Sequence, residues 1–141
     1  MKKEYGRSMI EMLGVLAIIG VLSIGGLAGY TMAMNRHRAN VALDYAQRAF
    51  VVAQTFGDGS QAIEADTACA SASILNETLP SASLSACTVG RAANGATTIT
   101  ITPANDSVSE AIANRLGLTS KAATYTMTDT GTNANVWKAG S

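Results

Sequence analysis

His37 is the only histidine in the 141 residues of this chain, so neither a multi-histidine metal site nor a pair of imidazoles for acid–base work can be assembled. The two cysteines, Cys69 and Cys87, are far from it in sequence, and their spacing fits no zinc signature. Lys and Arg number 10, Asp and Glu number 10, and charged residues make up only 14% of the chain. With no basic patch there is no footprint for nucleic acid, and with no acidic run there is no solvating tail. The acidic residues are scattered, and the turn-forming Gly57-Asp58-Gly59-Ser60 is followed by no Walker lysine. No nucleophile with its base and no phosphate cradle emerges, so the expectation is a protein that is not an enzyme, with no catalytic residue, metal or cofactor. Proline occurs only at Pro80 and Pro103. Nothing therefore breaks a helix across residues 8–56.

What the chain does have is an uncharged apolar run from Met12 to Met34, with one acidic residue, Glu11, at its front edge. About 20 apolar residues cross the hydrocarbon core of a bilayer, and this run is longer than the 7–15 residues of a signal-peptide core. A carboxylate entering a bilayer costs about 2–3 kcal/mol or more, so it persists where a partner neutralises it. Upstream lie Gly6 and a short leader carrying Lys2 and Lys3. A cut after Gly6 would make Arg7 the N-terminus and put its α-ammonium about one helical turn from Glu11.

The string Gly6-Arg7-Ser8-Met9-Ile10-Glu11, followed by more than twenty apolar residues, resembles the N-terminus of type IV prepilins and the related pseudopilins. The resemblance covers residues 1–56. It implies that a prepilin peptidase cuts after Gly6 and methylates the new amine, that Arg7 begins the mature chain, and that Glu11 guides assembly. It also implies an N-terminus in the cytoplasm, which the flanking charges alone leave open because Lys2, Lys3 and Arg7 are opposed by Arg36 and Arg38. The family's mature chain usually starts with an apolar residue, where this one has Arg7. Many members carry a helix-breaking proline near the position of Ala28; here Gly25, Gly26 and Gly29 cluster instead.

With that orientation Cys69 and Cys87 lie on the exported side, where disulfides form. Joined, they close a loop worth about 3 kcal/mol in the chain-entropy model. Beyond the anchor, Val41, Tyr45, Ala49, Val52 and Phe56 recur at helical spacing, and Asp44 and Arg48 form a favourable four-residue pair. Residues 57–60 then break the helix. Residues 60–90 hold few large apolar side chains (Ile63, Ile74, Leu75, Leu79, Leu84) and predict short helical pieces and loops. Residues 96–102 alternate and are β-branched, which predicts a strand with Ile99 and Ile101 inward. Asp106 or Ser107 is expected to cap a helix, with Ser107 and Glu110 as a capping box, an apolar stripe of Val108, Ala111, Ile112 and Leu116, and Gly117 as its stop. Residues 123–128 predict a second strand with Tyr125 and Met127 on one face, and Val136 and Trp137 a third.

The expected architecture is α+β: a leader over 1–6, a transmembrane and assembly helix over 7–34, its amphipathic continuation over 35–56, and a head over 57–141 built on a small antiparallel sheet. The expected role is that of a structural subunit of a type IV pilus-like filament. Its partners would be membrane lipid before assembly, prepilin peptidase, the inner-membrane assembly machinery and copies of itself, with no nucleic acid. Its location would be the inner membrane and then an extracellular pilus or periplasm-spanning filament of a bacterium. A pseudopilin of type II secretion or a minor or competence pilin shares these N-terminal features. A single-span membrane-anchored binding module is the alternative from another class.

Overall fold

The computed structural model describes residues 2–59, 61–129 and 136–140, with the backbone alone for 2–7, 58 and 59. By its internal contacts the chain divides into Met1–Met34 and Asn35–Ser141. A single α-helix, α1, runs over Lys2–Thr55 and ends in a short 3-10 turn, Phe56–Gly59. Helical hydrogen bonding continues through Gly25, Gly26 and Gly29. Glycine lowers helix propensity by about 1 kcal/mol in water, but no proline removes a backbone donor here.

The second unit is the α+β head. Five strands, β1 (Ile63–Ala68), β2 (Leu84–Arg91), β3 (Thr97–Pro103), β4 (Thr124–Asp129) and β5 (Trp137–Gly140), pair antiparallel in sequence order. A helix, α2 (Asp106–Leu116), connects β3 to β4. The strand expected over 96–102 is β3, and its burial alternates strictly, with Ile99 and Ile101 fully buried. β4 turns Tyr125 and Met127 inward as expected. On the outer face Thr98 meets Thr128 and Thr100 meets Thr126 through their hydroxyls at 3.3 and 3.4 Å, the kind of cross-strand pair that adds a few tenths of a kcal/mol, roughly 0.2–1.

Residues 60–90 differ from the expectation of loops and helical pieces, because two of the five strands lie there. The cause is broken alternation. In β2 the inward residues are Leu84, Cys87 and Val89, and the register shifts between Leu84 and Ala86. In β1 only Ile63 is buried, and a bulge between Ile63 and Thr67 holds Asp66 at φ 64. A bulge puts two residues opposite one and destroys the period-two signal. Gly90 sits against this bulge, where a Cβ would stand 3.1 Å from the Ala65 Cα. Leu75 and Leu79 pack against the core, and Ile74 is part of it.

The core also corrects the helix stripe. Ala39, Ala42, Ala46, Ala49 and Ala53, at alternating steps of three and four, are buried to between 0 and 1% exposure. Leu43, Tyr45 and Phe50 flank them, while Val52 and Phe56 are partly buried and Val41 is half-buried. The buried face is thus wider and smaller-grained than the apolar residues alone suggested. Small side chains on the helix leave volume for Leu84, Ile99, Ile101, Tyr125 and Ile112, which have no measurable exposure.

The cap of α2 is Asn105. Neither Asp106 nor Ser107 holds that position: the Asn105 Oδ1 accepts the Val108 N–H at 3.0 Å, and Asp106 falls in the first turn. Gly117 ends the helix at φ 76 as expected, a conformation that costs glycine no Cβ clash. Ser109 and Ala113 are buried beside Val108 and Ile112. A polar knot makes the buried serine tolerable: Ser109 Oγ donates to the Ala122 carbonyl at 2.7 Å, Ala122 N–H donates to Tyr125 Oη at 3.0 Å, and Tyr125 Oη donates to the Ser109 carbonyl at 2.8 Å.

Ala46→Leu should test the small-residue packing. Three added carbons at a site with 0% exposure should cost about 1–3 kcal/mol by overpacking, read as a lower denaturation midpoint of the detergent-solubilised chain, whereas Gln47→Leu on the exposed face should change it little.

Candidate assembly surface

Helical geometry carries the side chains of residues 8–33 around every side of α1, and all of them are exposed among the described residues. From Met9 to Met32 every large apolar side chain is more than half exposed, from 52% at Ile19 to 75% at Ile24. A soluble monomer rarely exposes a continuous apolar patch above a few hundred Å², so this surface needs lipid or protein against it. Residues 12–34 extend about 34 Å at 1.5 Å per residue, enough for a hydrocarbon core of about 30 Å. The segment is long and apolar enough to cross a membrane. Glu11 is exposed at its edge. Of the expected processing residues, Gly6 and Arg7, the backbone alone is described, and it continues the helix. At Gly14, Gly20, Gly25, Gly26 and Gly29 an added Cβ would meet nothing within 4 Å. Among the described residues no contact therefore explains these glycines. Small residues four apart, as Gly25, Gly29 and Ala33 are, let membrane helices approach closely.

On the head, the disulfide joins Cys69 and Cys87 with their Cα atoms 5.4 Å apart, and both are buried. The Cys69 N–H also donates to the Cys87 carbonyl at 3.0 Å. The bridge ties the end of β1 to β2 and closes the loop that holds Ile74, Leu75 and Leu79. The far side of that loop is held to α1 by polar contacts. Arg48 bridges Glu77 at 2.8 Å and Asp44 at 3.3 Å and stands over the Tyr45 ring at 5.8 Å; Tyr45 Oη donates to the Glu77 carbonyl at 3.2 Å. The expected Asp44–Arg48 pair is present, and Glu77 joins it from a distant part of the sequence. With about half of the Arg48 and Glu77 side chains exposed, such pairs contribute little, about 0–1 kcal/mol each.

The end of α1 depends on residues that pattern reading did not single out. Arg91 of β2 donates to the Gln54 and Phe56 carbonyls at 2.9 and 3.5 Å, and the Gln54 side chain donates to Asp129 of β4 at 2.6 Å. Helix C-terminal carbonyls lack intrahelical donors, so a guanidinium there satisfies them and complements the helix dipole. No local signal in the sequence marks Arg91, because its partners are over thirty residues upstream.

Among the described residues no three His, Cys, Asp or Glu side chains converge as metal ligands. A shallow groove of about 360 Å³ beside the end of α2 is lined by residues including Glu110, Asn114, Thr119 and Lys121, with Lys121 paired to Asp106 at 3.5 Å. His37 is solvent-exposed. No family model, no curated protein and no solved structure matches this chain.

Burial raises the Tyr45 hydroxyl above its ordinary value of 10.0; the Glu77 carboxylate adds to the rise and the Arg48 guanidinium opposes it. The unfolded chain therefore loses this proton first, so the associated stability is complete below pH 10 and is lost as pH rises through the folded value. Denaturation midpoints should fall above pH 10, and Tyr45→Phe should flatten that part of the pH profile.

Proposed function

We propose that the protein is a structural subunit of a type IV pilus-like filament, processed after Gly6 and polymerised through its N-terminal helix. The observation that carries this reading is the joining, in one helix, of an exposed apolar segment with Glu11 at its edge to a segment, residues 39–53, mostly buried in a disulfide-tied head. Before assembly the apolar segment lies in the inner membrane. Afterwards it packs against the same segment of neighbouring copies, so it remains out of water in both states.

Glu11 selects the register of that packing. The α-amine of Arg7 in an adjoining subunit is the matching cation, and pairing offsets a desolvation penalty that either charge alone would carry in full. The glycines at positions 14, 20, 25, 26 and 29 reduce the distance at which the helices meet. The head supplies a threonine-bearing sheet face toward water, with Lys138 opposite Thr126, and takes no part in chemistry.

Two measurements test this. N-terminal sequencing of membrane or filament protein should begin at Arg7; recovery of only the full-length chain, or a cut within residues 28–34, would count against processing of this kind. Glu11→Ala should leave the subunit membrane-bound and folded while sharply lowering the yield of sheared filaments. Normal filament yield from that variant would remove the assembly role. If wild-type protein stays monomeric at every stage, a membrane-anchored binding module is the better description.

A further inference from the structure

The β2–β3 hairpin turns over residues 92–96, where Ala92 N–H donates to the Ala96 carbonyl and Gly95 N–H to the Ala92 carbonyl, both at 2.9 Å. Gly95 takes φ +93, the conformation for which the turn needs glycine. Residues 92–95 are all exposed. Asn94 is the one asparagine in the chain followed by glycine.

That pairing has a chemical consequence. The main-chain nitrogen after an asparagine can attack the side-chain amide carbon, and a Cβ on the attacking residue hinders ring closure; Gly95 has none. The Ala96 N–H donates to Asn94 Oδ1 at 3.0 Å. This is the oxygen on which negative charge develops as the nitrogen adds to Cγ, so a fixed donor already stands where an oxyanion would form. One exposed turn hydrogen bond, from Gly95 N–H to Ala92, opens to release the nucleophile.

The other described asparagines lack this combination. Asn35 and Asn40 lie within α1 and Asn114 within α2, where the next backbone nitrogen is held in helical geometry. Asn105 uses its Oδ1 as the cap of α2 and precedes Asp106. Asn76 precedes Glu77, whose side chain crowds the approach.

We propose that Asn94 is a site of spontaneous covalent modification through a succinimide formed with Gly95. The Gly95 N–Cγ bond forms and the Cγ–Nδ2 bond breaks; the proton from the Gly95 nitrogen goes to the departing amine, which leaves as ammonia. Water then adds to either imide carbonyl, opening the ring to aspartate or to isoaspartate at position 94. Water is the only co-reactant. Each conversion adds one carboxylate to a chain whose 10 cationic and 10 acidic residues balance, so its formal charge moves from zero to minus one. The isoaspartate product also lengthens the backbone at a turn whose two hydrogen bonds join β2 to β3. The protein thus divides with time into populations that differ in charge at one hairpin tip. This proposal does not depend on the filament reading.

The test is incubation of the full-length protein in detergent micelles, at mildly alkaline pH in heavy-oxygen water, followed by isoelectric focusing and peptide mapping by mass spectrometry. A species more acidic by one charge should accumulate. Position 94 should convert before any of Asn35, Asn40, Asn76, Asn105 and Asn114 and should carry one heavy oxygen atom, with the ammonia-loss imide detectable after acid quenching. Asn94→Gln should abolish that species, and Asn94→Asp should focus at its position from the start while showing that the head folds with an acid at the turn. An amide retained at 94 while another asparagine converts, no conversion at all, or an undiminished acidic species in Asn94→Gln would each overturn the proposal.

Discussion

Between Met9 and Met32 apolar side chains stand on all sides of a helix, and water cannot be their resting environment. Every large one is more than half exposed. At about 25 cal/mol per Å² of apolar surface removed from water, covering such a segment is worth far more than any single contact in the head. Residues 39–53 of the same helix are mostly buried within their own head. One helix therefore meets two kinds of environment, and its second part is satisfied inside the chain while its first is not.

The head is held by shape more than by charge. Alanines on α1 and large aliphatic and aromatic residues on the sheet and α2 fill the interior without a buried ion pair among the described residues. The polar groups that are buried, Ser83, Thr97 and Ser109, leave no buried side-chain nitrogen or oxygen unsatisfied among the described residues. Where the core thins, in the loop between β1 and β2, the Cys69–Cys87 bridge limits the unfolded chain instead, an effect of about 3 kcal/mol for a loop of this size. Arg48 and Arg91 then hold the loop and the helix end at their margins, where each guanidinium reaches at least two acceptors.

Several features were legible because they are local. The apolar length of residues 12–34, the lack of proline before Pro80, the strict alternation in ATTITIT and the glycine after Leu116 each act within a few residues of where they are written. They specify the long helix, β3 and the end of α2 without knowledge of what lies opposite. The cysteine pair was legible for another reason, since two cysteines allow a single intrachain partner. Glu11 stood out as a charge placed where charge is costly.

What only the tertiary structure decided follows from partners distant in sequence. β1 and β2 have no alternating pattern of their own and become strands because β3 offers a template and a bulge absorbs the mismatch. Ala39, Ala42, Ala46, Ala49 and Ala53 say little in isolation, because alanine suits any helix face; the large residues opposite them decide which face is buried. Asn105, rather than Asp106, caps α2 because the chain leaving β3 is extended at that residue. Arg91 becomes the ligand of the α1 C-terminus only when β2 is laid beside it. Local chemistry determined what each segment could become, and long-range packing, which has no period in the sequence, decided which surfaces met.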